Sequence, residues 1–107
     1  MRLALLTVTM CVGIAAVAAA DEAKGEKLFA DQKCSLCHSI GDKGNKKGAL
    51  DDVGTKLKAG DIREWIADAK GMTAKTKAPR KPEMKAYSLP KEDVDALVAY
   101  LETMKKK

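Results

Sequence analysis

The stretch Cys34-Ser35-Leu36-Cys37-His38 holds the single histidine of the 107-residue chain and two of its three cysteines. Four kinds of site have cysteines at this spacing. A disulfide between Cys34 and Cys37 would close a very small loop and remove little chain entropy. A thioredoxin-like redox pair lies between a strand and a helix, which the flanking residues do not predict. A zinc site needs four ligands, usually cysteine and histidine, and after residue 20 the chain has only the three in this stretch.

Covalent attachment of a c-type haem is the fourth kind of site, and it uses all three reactive side chains of the stretch. Each thiol bonds one vinyl-derived carbon of the porphyrin, and the adjacent imidazole lies under the iron as its proximal ligand. A bound haem would also supply apolar surface to a chain with one Trp, one Phe and two Tyr. The sequence therefore predicts one haem c, attached to Cys34 and Cys37, with His38 as an iron ligand.

Residues 1–20 have the features of a secretory signal peptide. A positive start at Arg2 precedes an apolar run, and Ala18-Ala19-Ala20 fits the cleavage pattern. The run is short for a membrane span, so an uncleaved anchor is the less favoured alternative. The residues before Cys11 do not resemble a lipoprotein signal. We expect a cleaved signal peptide over residues 1–20, a mature domain over residues 21–107, and a location in the periplasm.

Apolar periodicity predicts three helices and no strands, which places the chain in the all-α class. The predicted helices cover residues 22–33, 61–70 and 91–104. The second is predicted to be capped by Asp61 and to end at Gly71. The Gly- and Lys-rich segment 39–60 and the Pro-containing segment 72–90 are predicted loops, and loops of this length in a small domain indicate a bound group around which they wrap.

The 34–38 motif, preceded by Gly25-x-x-x-Phe29 and followed much later by LVAYL at residues 97–101, resembles the small monohaem class I cytochromes c. The resemblance covers nearly the whole of residues 21–107. It implies the class I cytochrome c fold, with three to four helices wrapped around one covalently bound haem. It also implies that the two terminal helices cross, with the Gly25 and Phe29 side of one helix against Leu97 and Tyr100 of the other.

The chain departs from this family just after the motif. Family members usually have a proline there, and the carbonyl of that proline holds the proximal imidazole. The matching stretch here, residues 47–51, contains no proline. The Gly48 carbonyl is therefore our expected acceptor for the N–H of His38.

The resemblance also suggests the second axial ligand of the iron. With one histidine in the chain, the soft candidates after residue 20 are Met72, Met84 and Met104. The family carries its ligand methionine in a Pro-containing loop before the last helix, which matches Met84, two residues after Pro82. We expect Met84 to bind iron, Met72 to be the weaker candidate, and Met104 to pack in or on the last helix.

Ligation by His38 and Met84 would fill both axial positions, which predicts an electron carrier and not an enzyme. The expected function is to shuttle single electrons between redox partners in the periplasm. Two alternatives remain at this point. One is a five-coordinate c-type haem sensor or peroxidase-like enzyme in which Met84 only packs, and the other is a haem-free binding module with a Cys34–Cys37 disulfide.

The charge pattern suggests what kind of partner such a carrier binds. The full chain has a formal net charge of +5, and residues 70–85 hold six basic residues against one acid. The six are Lys70, Lys75, Lys77, Arg80, Lys81 and Lys85. A basic surface beside the haem edge would attract redox partners with acidic docking faces. We expect no nucleic-acid partner, no stable membrane insertion of the mature chain, and a monomer.

Overall fold

A computed structural model describes the backbone of residues 14–105 and the side chains of residues 21–105. In this part of the chain there are five α-helices and one two-stranded antiparallel hairpin. The helices are α1 (Ile14–Asp31), α2 (Val53–Lys56), α3 (Ala59–Ala67), α4 (Ala69–Thr76) and α5 (Lys91–Glu102). The strands are β1 (Ser39–Ile40) and β2 (Lys43–Gly44). Two short 3-10 turns cover Cys34–Leu36 and Lys46–Gly48.

The first and last helices cross at a glycine, as predicted. A methyl group on Gly25 would collide with the backbone carbonyl of Ala96 and lie 2.5 Å from Cβ of Tyr100. One turn further along α1, the Phe29 ring meets the Tyr100 ring edge-on, with centroids 6.2 Å apart. Gly25 therefore has a packing role that offsets the roughly 1 kcal/mol that glycine costs within a helix.

The hydrophobic core lies where α3 packs across α5. Ile62 and Ile66 from α3 share one buried cluster with Phe29 and with the apolar face of α5. The α5 members are Val94, Leu97, Val98 and Leu101. These four follow the predicted helical spacing, because i, i+3, i+4 and i+7 positions lie on one face.

Between residues 59 and 76 the predicted helix boundaries are wrong. The helix α3 begins at Ala59, so Asp61 lies in its first turn and does not cap it. Gly71 is not a helix end but lies inside α4, which begins within the predicted helix 61–70 and continues into the predicted loop 72–90. The Asp68 side chain caps α4 by accepting a hydrogen bond from the Gly71 N–H at 3.3 Å, and a side chain on Gly71 would collide with that carboxylate. The cap helps to offset the cost of the glycine in the helix.

The other predictions are closer to the structure. α5 ends two residues before the predicted limit, and α1 starts earlier than predicted and runs through the expected cleavage site after Ala20. Residues 39–60 were predicted to be a loop, but they contain the small hairpin, a 3-10 turn, the short helix α2 and the start of α3. The sequence shows neither an alternating pattern for the strands nor an apolar stripe for α2. Among the described residues, no helix has both the length and the apolar character needed to cross a membrane.

Candidate haem-binding site

The residues of the CSLCH motif form one compact turn directly after α1. The N–H of Cys37 donates to the Cys34 carbonyl at 3.1 Å, and the N–H of His38 donates to the same carbonyl at 2.9 Å. Cys34 is half-buried and Cys37 is exposed, and neither is in a disulfide. The turn therefore presents two free thiols and one imidazole from a five-residue segment.

The His38 ring is held by a hydrogen bond to the backbone. Its Nδ1 lies 2.9 Å from the carbonyl oxygen of Gly48. Because a carbonyl can only accept, Nδ1 is the protonated nitrogen, and the lone pair of Nε2 is left for a metal. The prediction that Gly48 takes the place of the missing proline's carbonyl is confirmed.

Burial favours the neutral form of this imidazole. The pKa of His38 lies below its ordinary value, mainly because the ring is partly removed from water, and the positive charge of Arg80 lowers it further. The Gly48 hydrogen bond acts in the opposite direction and is outweighed. A neutral imidazole is the form that binds a metal ion, so the environment favours a ligand role.

Asn45 joins the hairpin to the motif, a role that the sequence reasoning missed. Its N–H donates to the carbonyls of Ser35 and His38, each at 3.1 Å, and its side-chain amide donates to the Leu36 carbonyl at 3.2 Å. Its side-chain oxygen also accepts from the N–H of Lys47 and caps the second 3-10 turn. The preference of asparagine for such caps was the available signal.

Arg80 was also missed as a contact of the site. It reaches Gly48 from the segment that precedes Met84. A methyl group on Gly48 would collide with Nη1 of Arg80 and with the Cys37 carbonyl, and would lie 2.9 Å from Cζ of Arg80. Sequence reasoning counted Arg80 only as one of several surface charges, because nothing in a linear pattern brings residues 48 and 80 together.

The segment after Met84 also lies against the motif. The N–H of Tyr87 donates to the Ile66 carbonyl in α3 at 3.0 Å, and its hydroxyl reaches the carbonyl of Gln32 at 3.5 Å. Burial raises the pKa of Tyr87, and the nearby Cys34 and Cys37 raise it further. Burial likewise raises the pKa of the Cys34 thiol. The chain on both sides of Met84 is thus held close to the two cysteines.

The three candidate methionines lie in different environments. Met84 is half-buried in an irregular segment that passes the motif. Met72 lies in α4, and its side chain is buried in the hydrophobic core. Met104 follows α5, where its carbonyl accepts from the Gly54 N–H at 2.8 Å. Of the three, Met84 combines a non-helical backbone with neighbours that contact the motif.

The surroundings fit a flat apolar group. Several apolar side chains pack against the core but stay only half-buried, including Leu28, Ile40, Leu50, Val53, Leu57 and Leu89. Within residues 14–105, no three His, Cys, Asp or Glu side chains are grouped so as to hold a metal ion. Two free thiols beside an oriented imidazole therefore fit an iron that is already held by a porphyrin ring. They do not fit a zinc site, which takes all or most of its ligands from the protein.

A profile of the family described as Cytochrome c matches residues 22–105. The chain belongs to the cytochrome c family. No match was found among curated proteins or among solved structures. The expected fold class is confirmed, and this cytochrome is a haem-binding electron-transfer protein whose family attaches haem c covalently. Cys34 and Cys37 occupy the CxxCH position of the family, and its members are typically carriers and not enzymes.

Proposed function

We propose that this cytochrome is a monohaem electron shuttle of the periplasm, with thioether bonds to Cys34 and Cys37 and with His38 and Met84 as axial ligands. Held by these residues, haem c would supply one-electron chemistry: it would take an electron from a donor protein and give it to an acceptor protein, cycling between Fe(III) and Fe(II). The chain's own residues hold the group, set the ligands and keep water and other ligands from the iron.

The observation that carries the proposal is the hydrogen bond from His38 Nδ1 to the Gly48 carbonyl. It fixes the tautomer and restricts rotation of the ring, so Nε2 has one direction in which to bind. A ligand that is already oriented moves little between oxidation states, and fast electron exchange needs little rearrangement.

Met84 supports the carrier role through the softness of its sulfur. A thioether stabilises ferrous iron and raises the reduction potential. A filled sixth position also excludes oxygen and peroxide, which separates a carrier from a sensor or a peroxidase-like enzyme. The contacts of Arg80 and Tyr87 on either side of Met84 restrict where its side chain can lie.

The location and the partners follow from charge and from residues 1–20. The apolar segment that ends in Ala18-Ala19-Ala20 supports export, and export places the partners in the periplasm. Lys81 and Lys85 flank the Met84 segment with exposed side chains, which favours redox proteins with acidic docking faces.

The proposal is tested first on the exported, purified protein by intact mass. We expect a mass equal to residues 21–107 plus one haem, and a low-spin spectrum that carbon monoxide does not change rapidly in the reduced state. A mass without haem would establish the binding module instead. Rapid carbon monoxide binding with an unchanged fold would establish the five-coordinate sensor or enzyme.

A further inference from the structure

Arg80 differs in burial from the other basic residues of the 70–85 segment. It is half-buried, whereas Lys75, Lys77 and Lys81 are exposed. Its guanidinium lies against the backbone of Gly48, in the space that a Cβ atom would take. A lysine or arginine that extends into water makes no such contact. Arg80 instead packs against the main chain of a glycine.

Gly48 is the residue whose carbonyl orients the His38 ring, so Arg80 lies directly against the residue that supplies the acceptor for Nδ1. The Gly48 N–H is already bonded to the Asn45 carbonyl at 3.1 Å within the 3-10 turn. This leaves the other side of the glycine to be held by packing. A rigid proline ring is absent from residues 47–51, and a flat guanidinium covers the glycine instead.

We propose that Arg80 is a positioning residue for the axial histidine: its guanidinium clamps the backbone at Gly48 and so keeps the Gly48 carbonyl aimed at His38 Nδ1. The inference rests on the proposed ligation of iron by His38. It assigns to the segment before Met84 a second task, because the same loop that supplies one axial ligand would also steady the other.

Charge and shape make separate contributions to this arrangement. The positive charge of Arg80 lies at the residue that holds the His38 ring, and a nearby positive charge favours the less positive ferrous iron. The planar, rigid guanidinium fork restrains the glycine by contact, which a flexible lysine ammonium does not reproduce. A lysine at position 80 would therefore keep the first contribution and lose the second.

The experiment compares Arg80→Gln, Arg80→Lys and the control Lys75→Gln with the wild-type cytochrome, all as haem-loaded protein. Lys75 is exposed in the last turn of α4, so its replacement removes the same charge without touching Gly48. The deciding measurement is the solvent exchange rate of the His38 Nδ1 proton in the reduced, diamagnetic protein. The reduction potential is measured alongside.

In Arg80→Gln we expect this proton to exchange about tenfold faster or more, because local opening of the Gly48 segment becomes easier, and the potential to fall. In Arg80→Lys we expect the fast exchange to persist while the potential stays near that of the wild type. Lys75→Gln should leave the exchange rate unchanged.

Equal exchange rates in Arg80→Gln and Lys75→Gln would overturn the proposal, and so would full recovery of slow exchange in Arg80→Lys. If Arg80→Gln fails to retain haem, Arg80→Lys decides alone, and an exchange rate equal to that of the wild type then counts against the clamp. Failure of the proposed function is distinguishable, because a wild-type protein without haem, or without a histidine-ligated spectrum, fails before any variant is compared.

Discussion

At the scale of single residues, the site depends on a short list of atoms that are close in space and distant in sequence. The Gly48 carbonyl orients His38, Asn45 fastens the motif turn, and Arg80 contacts the glycine. The motif itself was readable from the sequence because its chemistry lies within five consecutive residues. Asn45 and Arg80 were not readable as parts of the site, because their roles depend on the path of two loops and not on any local spacing.

Replacement of Met84 by leucine tests the sixth ligand directly. Leucine keeps the size and apolar character but has no sulfur, so we expect the weak red absorption band of sulfur-bound ferric iron to disappear and the reduction potential to fall. Met104→Leu is the matched control, because Met104 is also half-buried and lies after the last helix. Persistence of the band in Met84→Leu, or its loss in Met104→Leu, would contradict the assignment.

At the scale of elements, the crossing of α1 and α5 was predictable and α4 was not. The crossing was implied by the resemblance to the class I cytochromes c, and the structure shows it at Gly25 and Phe29. α4 has a glycine near its start and two threonines, and its interior lacks an apolar stripe, so propensity favours a loop there. The Asp68 cap and the burial of Ala69 and Met72 outweigh that propensity, and both depend on tertiary structure.

Gly25→Ala should destabilise the cytochrome by about 1–3 kcal/mol, as other overpacking substitutions do. The added methyl group meets the backbone carbonyl of Ala96, which cannot turn aside as a side chain could. The measurement is denaturant unfolding of the haem-loaded protein. Ala23→Gly provides a contrast on the exposed face of the same helix, where only helix propensity is lost. Stabilisation by Gly25→Ala would show that the helices do not approach as closely as described.

Asp95 ties α5 to α3 and gives the stability a specific dependence on pH. Its carboxylate pairs with Arg63 of α3 at 2.5 Å and with Lys91 of α5 at 3.4 Å. The Arg63 hydrogen bond is the main reason that the pKa of Asp95 lies below its ordinary value of 3.8. The contribution to stability is therefore present above that ordinary value and is lost as pH falls through the lower, folded-state pKa.

Asp95→Asn should accordingly lower the unfolding midpoint at neutral pH, and the difference from the wild type should shrink as the pH falls below 3.8. The effect is small because the pair is solvent-exposed. Denaturant unfolding at several pH values measures it, with Asp31→Asn as a control on an exposed carboxylate at the end of α1. If the difference in unfolding midpoint between Asp95→Asn and the wild type stays constant at pH values well below 3.8, the carboxylate charge plays no part.

At the scale of the whole molecule, positive charge is concentrated in the two segments that carry the motif and Met84, whereas the segments that form most of α1, α3 and α5 are acidic. Residues 33–50 carry a net +3 and residues 70–85 a net +5, whereas residues 21–32, 61–69 and 86–105 each carry a net −2. This separation was readable from the sequence, although its placement around the site required the contacts of Arg80 and Tyr87 with the motif. An asymmetric charge distribution orients a protein as it approaches an oppositely charged partner.

Reversal of Lys81 and Lys85 to glutamate should slow electron transfer to an acidic partner and flatten the dependence of the rate on salt. Both side chains are exposed, although Lys81 pairs with Glu83 at 2.8 Å and Lys85 lies 5.2 Å from the centre of the Tyr87 ring. Stopped-flow kinetics at several ionic strengths provide the measurement.

The control is the double reversal of Lys56 and Lys58 near α2 and α3, which changes the total charge equally at exposed positions outside residues 70–85. Equal slowing in both double variants would mean that total charge matters and docking position does not. Unchanged rates at low salt in the first variant would remove the acidic-partner proposal.

The crossing of α1 with α5 also determines at what stage of synthesis the fold can close. Its two halves come from opposite ends of the described chain, so the contact closes a long loop and depends on the last helix to be synthesised. The motif turn, by contrast, is available as soon as residues 34–38 have emerged. The two thiols therefore become available at an earlier stage of synthesis than the helix that closes the fold, and a chain truncated before α5 would carry the thiols without the α1–α5 contact.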